Sequence, residues 1–284
     1  MNIMKSKLLI LVLILSILSI GCGETQSSKS DLSHYTVNKP DIKIELPTIL
    51  HEVSGLTIID DNTIACVQDE KGKVFLYNLE TNSIDNQLEF GEDGDYEDIA
   101  KVGDTFYILR SDGTLFEFAD YNTITPTTTV HVTNIPAEDN EGLYYDERNN
   151  RLLISTKSEI ENNTKGIFSF DLTSKKLDNE PILTFDTDLL DSQIKANGIA
   201  LNDNLKFKIS ALAIHPIEGN LYILSANEYL IFVFDMEGNL QEVAELDSKL
   251  YTKAEGIAFY DNGDMLISNE GENGTPSIMR VNYR

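Results

Sequence analysis

The sequence predicts an all-β protein, a five-bladed β-propeller whose ring is closed by an N-terminal strand that completes the last blade. Three observations lead there. A short motif recurs at Ser54-Gly55-Leu56-Thr57, Glu97-Asp98-Ile99-Ala100, Glu141-Gly142-Leu143-Tyr144, Ser210-Ala211-Leu212-Ala213 and Glu255-Gly256-Ile257-Ala258. Its copies fall about 43 to 45 residues apart except between 141 and 210, which is the length of one four-stranded blade. Between copies, alternating apolar runs are divided by Asp, Asn and Gly turns, the pattern of antiparallel strands.

The chain opens with Lys5 and Lys7 ahead of an apolar stretch from Leu8 to Leu15 that ends at Leu18-Ser19-Ile20-Gly21-Cys22. A membrane-spanning helix needs about 20 apolar residues, so residues 1-21 read instead as a signal peptide. The small residues before Cys22 resemble a bacterial lipobox, which implies cleavage before Cys22 and its acylation. Residues 22-40 hold Ser, Thr, Gln, Lys and Asp with little to bury and read as a flexible tether. The folded domain is then 41-284.

Each blade follows in order. Blade one takes Leu56 to Ile59, Thr63 to Gln68, Val74 to Asn78 and Ile84 to Phe90. Blade two takes Ile99 to Val102, Thr105 to Arg110, Thr114 to Phe118 and Thr127 to Val132, with Ser111-Asp112-Gly113 as a turn. Blade three takes Leu143 to Asp146, Arg151 to Thr156, Gly166 to Asp171 and Pro181 to Phe185. Blade four takes Leu212 to His215, Leu221 to Ser225, Leu230 to Asp235 and Leu240 to Leu246. Blade five has Gly256 to Tyr260, Met265 to Asn269 and Ser277 to Tyr283, joined by a tight Asp261-Asn262-Gly263 turn, and then the chain ends. The unclaimed period-2 strand Ile42 to Leu46 supplies its fourth strand and removes an open edge.

The one long interval places an insertion at about 186-208, with a short helix over Asp188 to Ala196. Asn197-Gly198-Ile199-Ala200 inside it imitates the motif and raises a six-bladed alternative, but about a dozen residues cannot hold four strands.

Composition narrows function. The net charge of −25 becomes about −27 once the two leader lysines are removed. Such a chain repels nucleic acid and concentrates cations, Ca²⁺ included, near its surface. With Cys22 committed to lipid, Cys66 has no partner for a disulfide and reads as a buried small hydrophobe. His34 falls in the tether, His131 in an outer strand, and His215-Pro216 caps a turn. His51, just ahead of the first motif, is the histidine placed to act as a general base. The acidic loop Gly91-Glu92-Asp93-Gly94-Asp95 lacks the ligand alternation of an EF-hand and reads as a mouth loop.

Several stretches together resemble the SdiA-regulated, YjiK-like family of bacterial envelope proteins. They are Glu52-Val53-Ser54-Gly55-Leu56, Phe90 to Ala100, Leu109 to Leu115, Asn140-Glu141-Gly142-Leu143, Ala213-Ile214-His215-Pro216, Leu221 to Ala226 and Glu255-Gly256-Ile257-Ala258. The resemblance implies a five-bladed propeller with a bound calcium ion and no assigned biochemical activity. Asp98 departs from it, standing where the family has Gly after the blade-two Glu.

On propeller geometry the motif residues ring the axis at one mouth, so Glu97, Glu141 and Glu255 converge with Ser54 and Ser210 between them. Converging carboxylates repel and need compensation. A hard divalent cation with oxygen ligands would supply it, with Asp69, Asn227 and Asn269 as further contributors at strand ends. Alternatively the Glu side chains bond to inner-strand amides, or to Arg110 and Lys157, without metal. The reading that follows is a lipid-anchored, extracytoplasmic, calcium-binding module of the cell envelope that engages a small molecule or protein. The alternative is a metal-dependent hydrolase of phosphoester or lactone type. Gly23 after the lipidated Cys excludes only the simplest Asp-type retention signal, so both inner and outer membranes stay open.

Overall fold

The computed structural model describes residues 31–201 and 203–284. The expected signal peptide, Cys22 and the first part of the tether lie outside the described residues. Five antiparallel sheets form a five-bladed β-propeller. Blade one is β2 (Val53–Ile58), β3 (Thr63–Gln68), β4 (Lys73–Asn78) and β5 (Ser83–Glu89), from axis to rim. Blade two is β6 (Tyr96–Val102), β7 (Thr105–Arg110), β8 (Thr114–Ala119) and β9 (Thr127–Val132). Blade three is β10 (Asn140–Asp146), β11 (Arg151–Thr156) and β12 (Thr164–Asp171), with two short pieces, β13 (Lys176–Leu177) and β14 (Leu183–Asp186), sharing the outer place on β12. Blade four is β15 (Ala211–Ile214), β16 (Leu221–Ser225), β17 (Leu230–Phe234) and β18 (Leu240–Glu245). Blade five is β19 (Ala254–Phe259), β20 (Met265–Asn269), β21 (Ser277–Val281) and, outermost, β1 (Ile42–Glu45).

The ring closes as the stray strand predicts. Ile42 faces Arg280 and Glu45 faces Ser277 in an antiparallel ladder. Middle strands such as β16, β17 and β20 are buried along their whole length, whereas the outer strands β5 and β9 are mostly exposed. This gradient explains the sequence: uninterrupted apolar runs sit between neighbouring blades, and polar Thr- and Asn-rich runs form the rim. Five apolar clusters fill the five seams. Leu56, Cys66 and Phe75 meet Leu266 and Ile278 between blades one and five, and Tyr107 and Leu109 meet Ile154 and Phe168 between two and three. Cys66 is fully buried there, and burial pushes its thiol up to about 12.

The insertion forms α1 (Thr187–Ala196), capped by the Asp186 carboxylate, which accepts the amides of Asp188 and Leu189. Leu190, Ile194, Ile199, Leu205 and Phe207 carry it into the seam between blades three and four. Asn197 to Ala200 is therefore the exit from α1 and opens no blade. Among the described residues no helix is long and apolar enough to cross a membrane.

The tether expected over 22-40 requires a correction for its described part. Leu32, Tyr35 and Val37 are buried in the cluster between blades four and five. The Tyr251 hydroxyl donates to Val37 O at 2.5 Å, and Asn38 bonds Glu245 O and the Asp247 amide. Residues 31–40 are thus part of the packed domain. His34, expected in the tether, stacks on Tyr283. His215 caps its turn as expected: Nδ1 accepts the amides of Ile217 and Glu218, which leaves Nε2 to meet the Tyr35 hydroxyl at 2.6 Å.

Candidate metal centre

In four blades the innermost strand carries an irregularity at the motif. Register shifts fall between Val53 and Leu56, Tyr96 and Asp98, Asn140 and Leu143, and Ala254 and Gly256. A bulge re-aims side chains at a strand end, and here it presents Glu97, Glu141 and Glu255 to one mouth. The glycine that follows Glu141 and the one that follows Glu255 are required by the crowding behind them. A Cβ on Gly142 would lie 2.5 Å from Ser155 Oγ, and one on Gly256 would lie 2.4 Å from Ser268 Oγ.

Asp98, the departure from the motif, is buried between the inner strands of blades one, two and three. Its Oδ2 accepts the Leu143 amide at 2.7 Å and its Oδ1 the Ile99 amide at 2.8 Å. A Cβ on Gly55 would sit 1.8 Å from Asp98 Oδ1, so the carboxyl occupies the space that Gly55 leaves open. Burial drives the Asp98 pKa well above the usual carboxylate range, against the pull of both amide bonds.

Glu97, Asp139 and Glu141 each place a carboxylate oxygen within 4.8 Å of the others. Glu141 is 3% exposed; Lys157 Nζ bonds its Oε1, and its Oε2 is buried without a hydrogen-bond partner. Lys157 also lies 4.0 Å from Asp139. Between Asp139 and Glu141 in sequence, the Asn140 Oδ1 is buried and unpartnered, while its Nδ2 donates to Ser111 O at 2.9 Å. Burial, then the charges of Asp95, Glu255 and Asp139, push Glu97 up to about 9, with Lys157 opposing. An oxygen-only donor set with orphaned acceptors and too few cations fits a hard divalent ion.

The remaining expected ligands lie elsewhere at this mouth. Glu255 is held by Lys253 at 3.2 Å, and Lys253 also pairs with Glu270 at 2.7 Å; burial pushes Glu255 up to about 7. Asp69 likewise rises to about 7, through burial and then the neighbouring Glu52 and Glu270. Asp69 Oδ1 and Asn269 Oδ1 are buried without partners. The hydroxyls of Ser54 and Ser210 are turned to backbone carbonyls, Ser54 to Glu52 O at 3.4 Å and Ser210 to Ala254 O at 2.7 Å. Asn227 is exposed on a turn. Arg110, weighed as a counter-ion for the Glu residues, pairs with Asp112 at 2.8 Å instead, whereas Lys157 does meet Glu141. His51 packs its ring against Gly271 at the seam of blades five and one.

Asp139 was not among the expected ligands, yet the sequence carries a signal for it. A charged residue stands two positions before every motif copy: Glu52, Asp95, Asp139, Lys208 and Lys253. Residues two apart in an extended strand share a face, so each blade offers a charged residue beside its motif residue at the mouth. Blades one to three contribute acids, and blades four and five contribute lysines.

The model of the SdiA-regulated family matches residues 31–273. No curated protein gives a significant match. Among solved structures, the crystal structure of glutaminyl cyclase from Myxococcus xanthus aligns with a TM-score of 0.58 at 15% identity, covering 86% of this chain and 95% of that one. A structural-genomics protein of unknown function from Bacteroides thetaiotaomicron VPI-5482 aligns with a TM-score of 0.50 at 12% identity, covering 86% and 58%. At such identities the likeness is one of fold.

Proposed function

The chain belongs to the SdiA-regulated family, and from that premise we propose that it is a lipid-anchored, extracytoplasmic module that binds Ca²⁺ at its acidic mouth and engages a ligand or partner there. The observation that carries this reading is the convergence of Glu97, Asp139 and Glu141, the last with one buried oxygen that has no hydrogen-bond partner. Those three residues would hold the ion. The ion would supply the positive charge that Lys157 alone does not. Membrane attachment would come through acylated Cys22, and the strongly acidic surface argues against nucleic acid as a partner.

Purified protein stripped with a chelator should gain thermal stability on adding Ca²⁺, in a saturable way. At a free concentration of about 100 times Kd the gain should reach about 2.7 kcal/mol. Glu141→Gln removes one ligand charge and should weaken that binding at least about tenfold. If Ca²⁺ leaves the melting curve of the stripped protein unchanged, the reading fails.

A further inference from the structure

The end of the ring opposite Glu97 and Glu141 opens into a cavity of about 820 Å³. Its floor is an apolar collar of Leu56, Ile99, Leu143 and Ile257, each two positions past the Ser or Glu that opens its motif. Tyr144, Tyr145 and Phe259 form its walls. Its rim comes from the turns between the first and second strands of three blades, which bring Asp60, Asp61, Glu147 and Asp261. None of these four carboxylates is in an ion pair among the described residues; the pairs nearest in sequence are Arg151 with Asp146 and Arg280 with Asp264. Of the two cations in the lining, Lys101 and Arg280, Arg280 is held by Asp264 at 2.6 Å and lies 4.7 Å from the centre of the Tyr260 ring.

We propose that this cavity binds an organic ammonium ion, a quaternary or alkylammonium head group. The cavity is far larger than a bare metal ion needs, and its aromatic walls attract a cation through the negative faces of their rings. Unpaired carboxylates around a concave opening raise the local concentration of cations and repel anions. The apolar collar takes the alkyl part of the ligand, as the floor of a small-molecule site does. Arg280 on Tyr260 already seats one cation on an aromatic face at this mouth. The cavity lining shares no residue with Glu97, Asp139 and Glu141, so this site is separate from the metal centre.

Choline is the probe, with its neutral isostere in which carbon replaces the quaternary nitrogen as the control. Calorimetry and saturation-transfer NMR on the purified protein should show saturable choline binding, with the isostere at least about tenfold weaker because it forfeits both the charge and the cation–ring attraction. Asp61→Asn and Asp261→Asn change exposed side chains and should each weaken choline about threefold or more. Glu141→Gln should leave it unchanged. Absence of saturable choline binding, equal binding of the isostere, or insensitivity to both Asn variants would each overturn the proposal.

Discussion

A methyl group on Gly55 would lie 1.8 Å from Oδ1 and 2.5 Å from Cα of Asp98, contacts no packed structure accommodates. Gly55→Ala should therefore destabilise the ring by about 1–3 kcal/mol or more, read as a lower urea midpoint. Changing Asp98 to Gly in that background removes the carboxyl but leaves the Asp98 backbone 2.5 Å away, so the double variant should recover only part of the loss. Full recovery would show that the carboxyl alone carries the conflict. At this scale the sequence discloses which residues face the mouth, because motif position sets strand position. It does not disclose which of them meet. Glu97 and Glu141 are joined by Asp139, whereas Glu255 turns to Lys253. That sorting depends on the charged residue two positions upstream in each blade, and on Lys157 reaching across from the end of β11. The hydroxyls of Ser54 and Ser210 stand in the expected ring but serve backbone carbonyls, since a buried hydroxyl takes the nearest acceptor.

Blades two and three are joined at the rim by a polar cluster that no motif marks. Glu117 on β8 accepts from Tyr107 on β7 at 2.9 Å, pairs with His131 on β9 at 2.7 Å, and pairs with Lys175 of blade three at 2.7 Å. Burial raises the Glu117 pKa, but the bonds from Lys175, His131 and Tyr107 outweigh it and hold the carboxyl below its usual range. A carboxyl depressed in the folded state adds stability above its unfolded pKa and loses it as pH falls through the folded one. The stability difference between the native protein and Glu117→Gln should thus be about 1 kcal/mol at neutral pH and shrink as the solution is acidified below about pH 4. A difference that stays constant from neutral to acid pH would remove the carboxylate from the account. Element existence was readable throughout, since strands and turns alternate so regularly. The outer edge of blade three was not. A single strand from Pro181 was expected, yet the ladder divides into β13 and β14. Pro181 has no amide hydrogen to give, and the chain between the two pieces leaves the sheet.

The ring as a whole is closed by more than the β1–β21 ladder. Residues 31–40 thread the seam between blades four and five, where Tyr35 also donates to Gly263 O at 2.5 Å. Their composition, with Asp31, Ser33, Thr36, Asn38 and Lys39 between the apolar residues, concealed this. Leu32, Tyr35 and Val37 are too few to register as an apolar run, and only the surrounding blades make them core. A chain beginning at Asp41 should be less stable than one beginning at Asp31 by at least about 4 kcal/mol, since burying each such side chain is worth about 1.5–3 kcal/mol. Equal urea midpoints for the two would make the segment a passive passenger. The same arrangement determines how the molecule bears load. A pull on the chain ahead of residue 31 reaches the seam residues first and the β1–β21 ladder only after them, so the two act in series. The Tyr35, Val37 and His34 contacts with Gly263, Tyr251 and Arg284 serve as strain relief. Under tension, the ring stays shut until they have let go.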